Sequence, residues 1–556
     1  MATLFDSASL ALIPSGVKDG KVYSIKPTDG SGDFTFSRGT DTATRVNSSG
    51  LIEKERSNQL LQSNQFDTTW IDISTNKTSG QSGYDGSNDA WLLSKTNASA
   101  RLYQNITYSG VNTFSLYVKA GTLNWVMLNN GTNSVWYDLQ NGEVGENTAG
   151  GGSLDASIES VGSGWYRVIL VSSVSASLIR IYPAEGDNDV SGTSGNIYIQ
   201  DAMLNAGLVA TDYIETTTAA VYEGITDNLP RLDYSGGASC PSLLLEPSRT
   251  NYVPNSEHFA ASTWGVTATL TPNAGISPEG VQNAYNIAAN SGLGNGITDV
   301  INIPTSGVDY TSTIYYKSAG ATTGSWRLFD GSTGASTTIT LEPTSEWKRA
   351  EITRTAGGST TQLRIDLFNN DGDLLIYGAQ LEAGSYPTSY IPTYGTSASR
   401  ASDSNQILNT SLANITSGTM YLEVDGREIA DAGCRFQLAT ISGETSNRVF
   451  ISYKNDGKAR VYVIKNGSLQ ADRVSTTAVT SGIVKIAARI EENNIKLYLN
   501  GTEVGADSVC QVPSGMNKIT IGRVSDGNIT TKDSIKQVLL FPTALTDAEL
   551  AALTTI

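Results

Sequence analysis

Histidine is almost absent: His258 is the only one in a chain of 556 residues. That excludes a zinc site built on histidines, and any Ser-His-Asp triad would have to use this one side chain. Cysteine is scarce as well. Cys240, Cys434 and Cys510 are too few and too scattered for a disulfide framework and read as buried thiols of a chain assembled in a reducing cytosol. Basic residues are outnumbered, 37 Lys and Arg against 54 Asp and Glu, for a net charge of −17. A surface that displaces phosphate counterions must be basic, so nucleic acid is excluded as a partner and an anionic membrane surface is disfavoured. No apolar run approaches the roughly 18 residues that span a bilayer, which excludes membrane insertion by a helix. Residues 1–15 also lack the basic start and apolar stretch of a secretion signal.

What the chain has in abundance is Gly, Ser, Thr and Asn, a composition suited to many short strands joined by turns. The expected fold class is all-β: tandem antiparallel jelly-roll sandwiches with one short C-terminal helix. A repeat sets the organisation. IYGAQLEAGSYPTSYI at 376–391 has a weaker copy, IQDAMLNAGLVATDYI, at 199–214, with Ala379, Leu381, Gly384, Tyr390 and Ile391 over Ala202, Leu204, Gly207, Tyr213 and Ile214. Upstream, Tyr117 and Lys119 match Tyr315 and Lys317, Trp165 and Arg167 match Trp347 and Arg349, and Arg56, Asn58 and Phe66 match Arg249, Asn251 and Phe259. Each unit is about 150 residues long, a usual domain size.

The chain is therefore divided into an N-terminal arm or attachment segment (1–56), a first jelly roll (57–220) and a stiff connector (221–247). A second jelly roll (248–400) and a last sandwich (401–556) follow. In the last block, Asn500-Gly501 after an alternating run is a hairpin signal, because both residues accept positive φ. Thr546 and Glu549 have capping-box spacing ahead of Leu550, Ala551 and Leu553, which predicts the closing helix.

Three chemistries have candidate residues. Saccharide binding uses aromatic faces for the C–H groups of a pyranose and polar side chains for its hydroxyls. Trp125 and Trp136 flank an Asn-rich loop, and Trp326 occupies a comparable place in the second repeat, so these three are the glycan-binding candidates. Trp165 and Trp347 open matching strands and are assigned to the core. Hard cations accept oxygen-rich turns, which makes Asp187, Asp189, Asp201, Asp371 and Asp373 candidate ligands of a structural calcium, against the plainer reading of ordinary turn residues. No cofactor is required. Glu423, Asp425 and Glu428 form E-x-D-x-x-E, and alternation puts the first two on one face. The plainer reading is a solvated strand end, and no tryptophan follows Trp347. His258 aligns with Gln65 beside a shared phenylalanine, a scaffold position.

Several phrases carry a family resemblance. FSRGTDTATRVNSSGLIE (36–53), PRLDYSGGASCPSLLLEPSRTN (230–251) and GAQLEAGSYPTSYIPT (378–393) resemble stretches of bacteriophage tail-fibre and other virion proteins, where they flank modules like carbohydrate-binding modules. RIEENNIKLYLNGTEVG (489–505), KITIGR (518–523) and VLLFPTALTDAELAAL (538–553) are similar to the closing strands and helix of concanavalin A-like, laminin-G-type domains. The E-x-D-x-x-E spacing resembles the catalytic strand of laminarinase-like hydrolases, which place nucleophile and acid about 5–5.5 Å apart. A fold hosts many functions, so function has to come from a site. The resemblance implies a non-enzymatic fibre or receptor-binding protein on the virion, assembled in the host cytoplasm. Its implied partners are itself as a homotrimer, other virion proteins through the N-terminal segment, and host surface glycan. A head fibre or decoration protein without a ligand and a glycan depolymerase are the alternatives.

Overall fold

The computed structural model describes residues 2–148, 153–288, 296–369, 371–426, 434–454, 456–479, 482–522, 524–525, 528–529 and 531–556. Both repeats are antiparallel jelly-roll sandwiches. In the first, one sheet runs in spatial order through Ser153–Gly162, Trp165–Ser173, Val111–Ala120, Gly195–Ala206, Ala90–Lys95 and Thr75–Gln81. The facing sheet runs through Glu143–Thr148, Ser134–Asp138, Trp125–Asn129, Ala176–Ala184, Arg101–Tyr108 and Ile71–Ile73. The second repeat has the same order with five strands per sheet: Lys348–Thr355, Asp309–Ser318, Leu374–Ala383, Gln282–Ile287 and Leu270–Ile276 facing Ala335–Leu341, Gly324–Asp330, Gln362–Asn369, Gly296–Asn302 and Trp264–Val266. Inward positions alternate along each strand, as Val126 and Leu128 do in one core and Trp326 and Leu328 in the other.

The matched residues do matched work. Asn58 donates through Nδ2 to the carbonyls of Ala202 (3.0 Å) and Ile214 (2.8 Å), and Asn251 donates to those of Ala379 (3.1 Å) and Ile391 (2.9 Å). One buried amide thus ties the long central strand to the segment that follows it, satisfying carbonyls that no strand reaches. The Tyr–Ile ends of the repeats are closed the same way: the Tyr213 and Tyr390 hydroxyls each lie 2.6 Å from a serine hydroxyl, Ser63 and Ser256.

The N-terminal segment is not an arm on the first repeat, and residues 221–247 are not a free-standing connector. Leu10–Leu12 pairs with Asp533–Phe541, Leu10 opposite Leu540, while Ser242–Leu245 pairs along the same edge with Leu243 opposite Ile535. Phe34–Ser37 joins the facing sheet beside Ser404–Leu408. The edge of Asp533–Phe541 opposite Gly418–Asp425 is thereby shared by two distant segments, which supplies partners for backbone groups that the last block alone would leave open. Leu10, Leu12, Phe34, Phe36, Leu243 and Leu245 are all buried in the core of this last sandwich. The closing helix, Asp547–Thr554, has both reciprocal capping bonds between Thr546 and Glu549. Asn500 (φ 46°) and Gly501 (φ 86°) make the hairpin turn between Ile495–Leu499 and Thr502–Asp507. Cys434 and Cys510 are buried free thiols, but Cys240 is exposed, since its loop lies beyond the strand that enters the core.

The phrases that carried the resemblance meet in one buried joint between the second repeat and the last sandwich. Arg231 forms ion pairs with Glu246 and Asp403, both at 2.6 Å; Arg400 pairs with Glu246 at 2.9 Å, and Arg38 with Asp403 at 3.4 Å. All five side chains are fully buried. Burial by itself would push the Glu246 carboxyl up, but Arg400 and Arg231 outweigh it and hold the group far below the usual carboxylate range. Ser389, from the repeated phrase, adds its hydroxyl to Glu246 at 2.7 Å and accepts from Arg231 at 2.8 Å.

Candidate functional site

Next to that joint opens a cleft of about 630 Å³. Tyr315 comes from Asp309–Ser318 and Trp347 from the residue just before the adjacent strand Lys348–Thr355, while Tyr386 and Tyr390 come from the repeated phrase. Arg45 and Ile52 come from the N-terminal segment, Asp233 from the former connector, and Lys532 from the last sandwich. Tyr315, Trp347 and Tyr386 are half-buried: Tyr315 and Trp347 pack in part against the cluster of Ile52 and Tyr390, Arg249 lies over the Tyr386 ring at 5.1 Å, and the rest of each ring lines the cleft. Trp347 is held by donation from Nε1 to the Ile276 carbonyl at 3.0 Å. The Arg349 guanidinium lies over the Tyr315 ring at 5.3 Å and donates to the Thr388 carbonyl (2.8 Å) and the Thr313 hydroxyl (3.0 Å). Arg45 pairs with Glu53 at 2.8 Å, and Glu351 is exposed at the rim. Rigid aromatic faces beside fixed charged and hydroxyl groups are what a pyranose needs. A further cleft of about 690 Å³ lies between the two repeats; its Tyr108 is buried, and the ring of its half-buried Tyr394 is already met by the Lys54 ammonium at 5.4 Å.

Trp347 was assigned to the core by its match to Trp165, and the structure separates the two. Trp165 is 1% exposed, whereas Trp347 is half-buried. In the first repeat, Tyr84 stacks on Tyr117 at 3.8 Å with the ring planes 2° apart and meets Trp165 edge-on at 6.4 Å. The corresponding hairpin loop of the second repeat, 277–281, is shorter than 82–89 and brings no aromatic ring. A signal was present in the sequence, in that loop length and in Gly378 where the first repeat has Asp201.

The other candidates fall apart from one another. Trp326 is fully buried in the second core and presents no face to a ligand. The pleat explains this: Trp326 shares the inward phase of Leu328, while Trp125 shares the outward phase of Met127. Trp125 is half-buried and Trp136 is buried, packed with Met127, Tyr182 and Ala184 on the outer face of the first repeat.

Among the described residues no group of three or more His, Cys, Asp or Glu side chains converges as a metal site. Asp189 closes its own turn by accepting from the Ser191 amide (2.8 Å), while Asp187 accepts from the Glu146 amide (2.6 Å) and Asp371 from the Thr323 amide (3.0 Å), each tying its turn to a distant segment. Asp373 accepts from Asn286 at 3.1 Å, and Asp201 accepts from the Tyr84 hydroxyl at 3.0 Å. Glu423 and Asp425 do share a face of Gly418–Asp425, the one that carries Tyr421 beneath the closing helix. Glu423 accepts from the Tyr421 hydroxyl at 2.7 Å and sits between Lys485 and Gln537 in the sheet register, and Asp425 is buried. Glu428 lies outside the described residues. His258 is buried, and burial pushes its pKa down to about 4, so its ring is neutral near pH 7.

Comparison with known proteins bears on the fold of the last block. Residues 409–551 match Laminin_G_3, the concanavalin A-like lectin/glucanases superfamily. That sandwich has the fold of the superfamily, and the N-terminal and connector strands complete it. No curated protein matches the chain. Among solved structures, the CBM40 of the Ruminococcus gnavus IT-sialidase is 14% identical, over 26% of this chain and 85% of that one, with a TM-score of 0.23. The NanB sialidase of Streptococcus pneumoniae is 20% identical over 27% of this chain and 26% of that one, TM-score 0.24. A heptameric SAP-like pentraxin from Limulus polyphemus is 16% identical over 27% and 74%, TM-score 0.23. No functional argument rests on likenesses this limited.

Proposed function

We propose that the protein is a bacteriophage virion fibre, a tail-fibre or receptor-binding component, and that it holds host surface saccharide in the cleft floored by Tyr315 and Trp347. The observation that carries this is the half-buried Trp347, with Tyr315 and Tyr386, in a cleft that also presents charged groups (Arg45, Asp233, Arg349, Glu351, Lys532) and the hydroxyls of Thr44, Ser235 and Ser389 between apolar walls such as Ile52 and Pro278. The virion setting draws on the phrases shared with phage fibres. Arg38, Arg231 and Glu246 from those phrases, with Arg400 and Asp403 just beyond the last of them, lock the second repeat to the last sandwich, and a locked joint suits a stalk that must keep its modules aligned.

In this reading the fibre is a homotrimer, because linked sites raise avidity by about 100- to 10,000-fold over weak single contacts. Its attachment to other virion proteins uses a folded surface of the last sandwich, where the N-terminal strands are built in. The protein binds glycan and does not cleave it. The test is binding of the full chain to intact host cells before and after periodate oxidation of surface sugars, alongside Trp347→Ala. Loss of binding on both treatments supports the reading. Binding that survives both removes it, and shortened host polysaccharide after incubation would reinstate a depolymerase.

A further inference from the structure

The open platform of the second repeat has a covered twin in the first. Tyr117 faces Arg167 across the strands as Tyr315 faces Arg349, and the guanidinium lies over the ring at 5.4 Å in one and 5.3 Å in the other. Arg167 donates to the Ser115 hydroxyl (3.0 Å) and the Thr211 carbonyl (2.5 Å), as Arg349 does to Thr313 and Thr388. The wall, the cation and the supporting bonds are therefore the same in both.

What differs is the occupant. Tyr84 lies flat on Tyr117 and edge-on to Trp165, where a sugar ring would lie on Tyr315 and Trp347. Its amide donates to Gln200 Oε1 at 3.1 Å and its hydroxyl to Asp201 Oδ2 at 3.0 Å, and Gln200 Nε2 holds the rest of the loop through Asp89 (2.8 Å), Asp85 and Ser87 (both 3.3 Å). In the second repeat those two anchor positions are Tyr377 and Gly378, and the hairpin loop is too short to reach. Most of loop 82–89 is exposed, and it turns at Gly86 with φ +86°, so lifting it costs chiefly the contact of the Tyr84 ring with Tyr117 and Trp165 and the bonds to Gln200 and Asp201.

We infer that the first repeat carries a second saccharide platform, Tyr117 with Trp165, which the Tyr84 loop covers. This rests on reading the open cleft as a saccharide site. A ligand must displace Tyr84 first, so its apparent affinity is the intrinsic one scaled by the fraction of molecules with the loop lifted. Uncovering the platform should raise affinity without building any new contact.

The probe is an array of immobilised bacterial surface polysaccharides, read with the full-length chain. Trp347→Ala silences the open site. Adding Tyr84→Ala to it is expected to restore binding to at least ten times the level of Trp347→Ala alone. Asp201→Gly, which copies the second repeat at a backbone position glycine favours, should act in the same direction and guards against misfolding of the first variant. If both combinations fold by circular dichroism and neither gains binding, Tyr84 is a core residue and the inference falls. If the unaltered chain binds nothing on the array, the reading of the open cleft fails by itself. The Tyr84→Ala and Asp201→Gly combinations still decide the covered platform by their own gain or lack of it.

Discussion

Asp201 and Gly378 occupy the same left-handed backbone position in the two repeats, at φ 52° and φ 61°. In the first repeat the side chain reaches out to hold Tyr84. In the second a side chain would be crowded, since a Cβ at Gly378 would stand 3.2 Å from the Tyr315 ring and 3.3 Å from the Tyr390 ring. This position, together with Gln200 against Tyr377 and the shorter 277–281 loop, separates a covered aromatic platform from an open one.

The Asp201 carboxyl is pushed up to about 7, chiefly by burial and further by Asp89 and Asp85, against the opposing bond from Tyr84. Between pH 4 and 7 the folded state holds a proton that the unfolded state has released, so its contribution to stability is full below pH 4 and is lost as pH rises through 7. Asp201→Asn should remove this slope, gaining about 2–4 kcal/mol relative to the parent at pH 8 and little at pH 4. Denaturant melts at the two pH values check it, and equal gains at both would contradict it.

Glu246→Gln is expected to cost about 3–5 kcal/mol, because it takes away the carboxylate that pairs with buried Arg400 and leaves buried Arg231 with Asp403 alone. The sign of its pH dependence is opposite to that of Asp201. A depressed carboxyl contributes its full stability above its ordinary value of 4.5 and loses it progressively as pH falls from there towards its depressed value. Thermal unfolding followed from pH 7 to pH 3 should show the parent approaching the variant only at the acid end.

Two tryptophans should respond in opposite ways. Trp326→Ala empties the second core and should cost about 3–5 kcal/mol. Trp347→Ala should cost far less while abolishing periodate-sensitive cell binding. Calorimetry and cell binding on the same two preparations separate core from cleft.

Deleting residues 1–13 removes Leu10 and Leu12 from the last core and bares the edge around Leu540. The truncated chain should lose the melting transition of the last sandwich, or aggregate through that edge, while the two jelly rolls keep theirs. A transition unchanged in size and midpoint would show that the N-terminal strand is dispensable.

The local rules were legible in the sequence. Alternation, turn residues, the capping box at Thr546 and Glu549 and the duplicated phrases specify strands, hairpins, the closing helix and two copies of one sandwich, because each rests on neighbours within a few residues or on direct repetition. Tertiary structure alone decided which distant segments share a sheet. Leu10–Leu12 and Ser242–Leu245 settle on the edge of Asp533–Phe541 because that edge has unpaired backbone groups and a core to fill, and neither is visible from the segments themselves. The same holds for the ion joint, whose five members are drawn from residues 38 to 403 and gain their meaning only when burial brings them together. It holds for Trp347 too. Its exposure depends on a ring that a loop elsewhere in the fold does not supply, and no pattern around residue 347 records that.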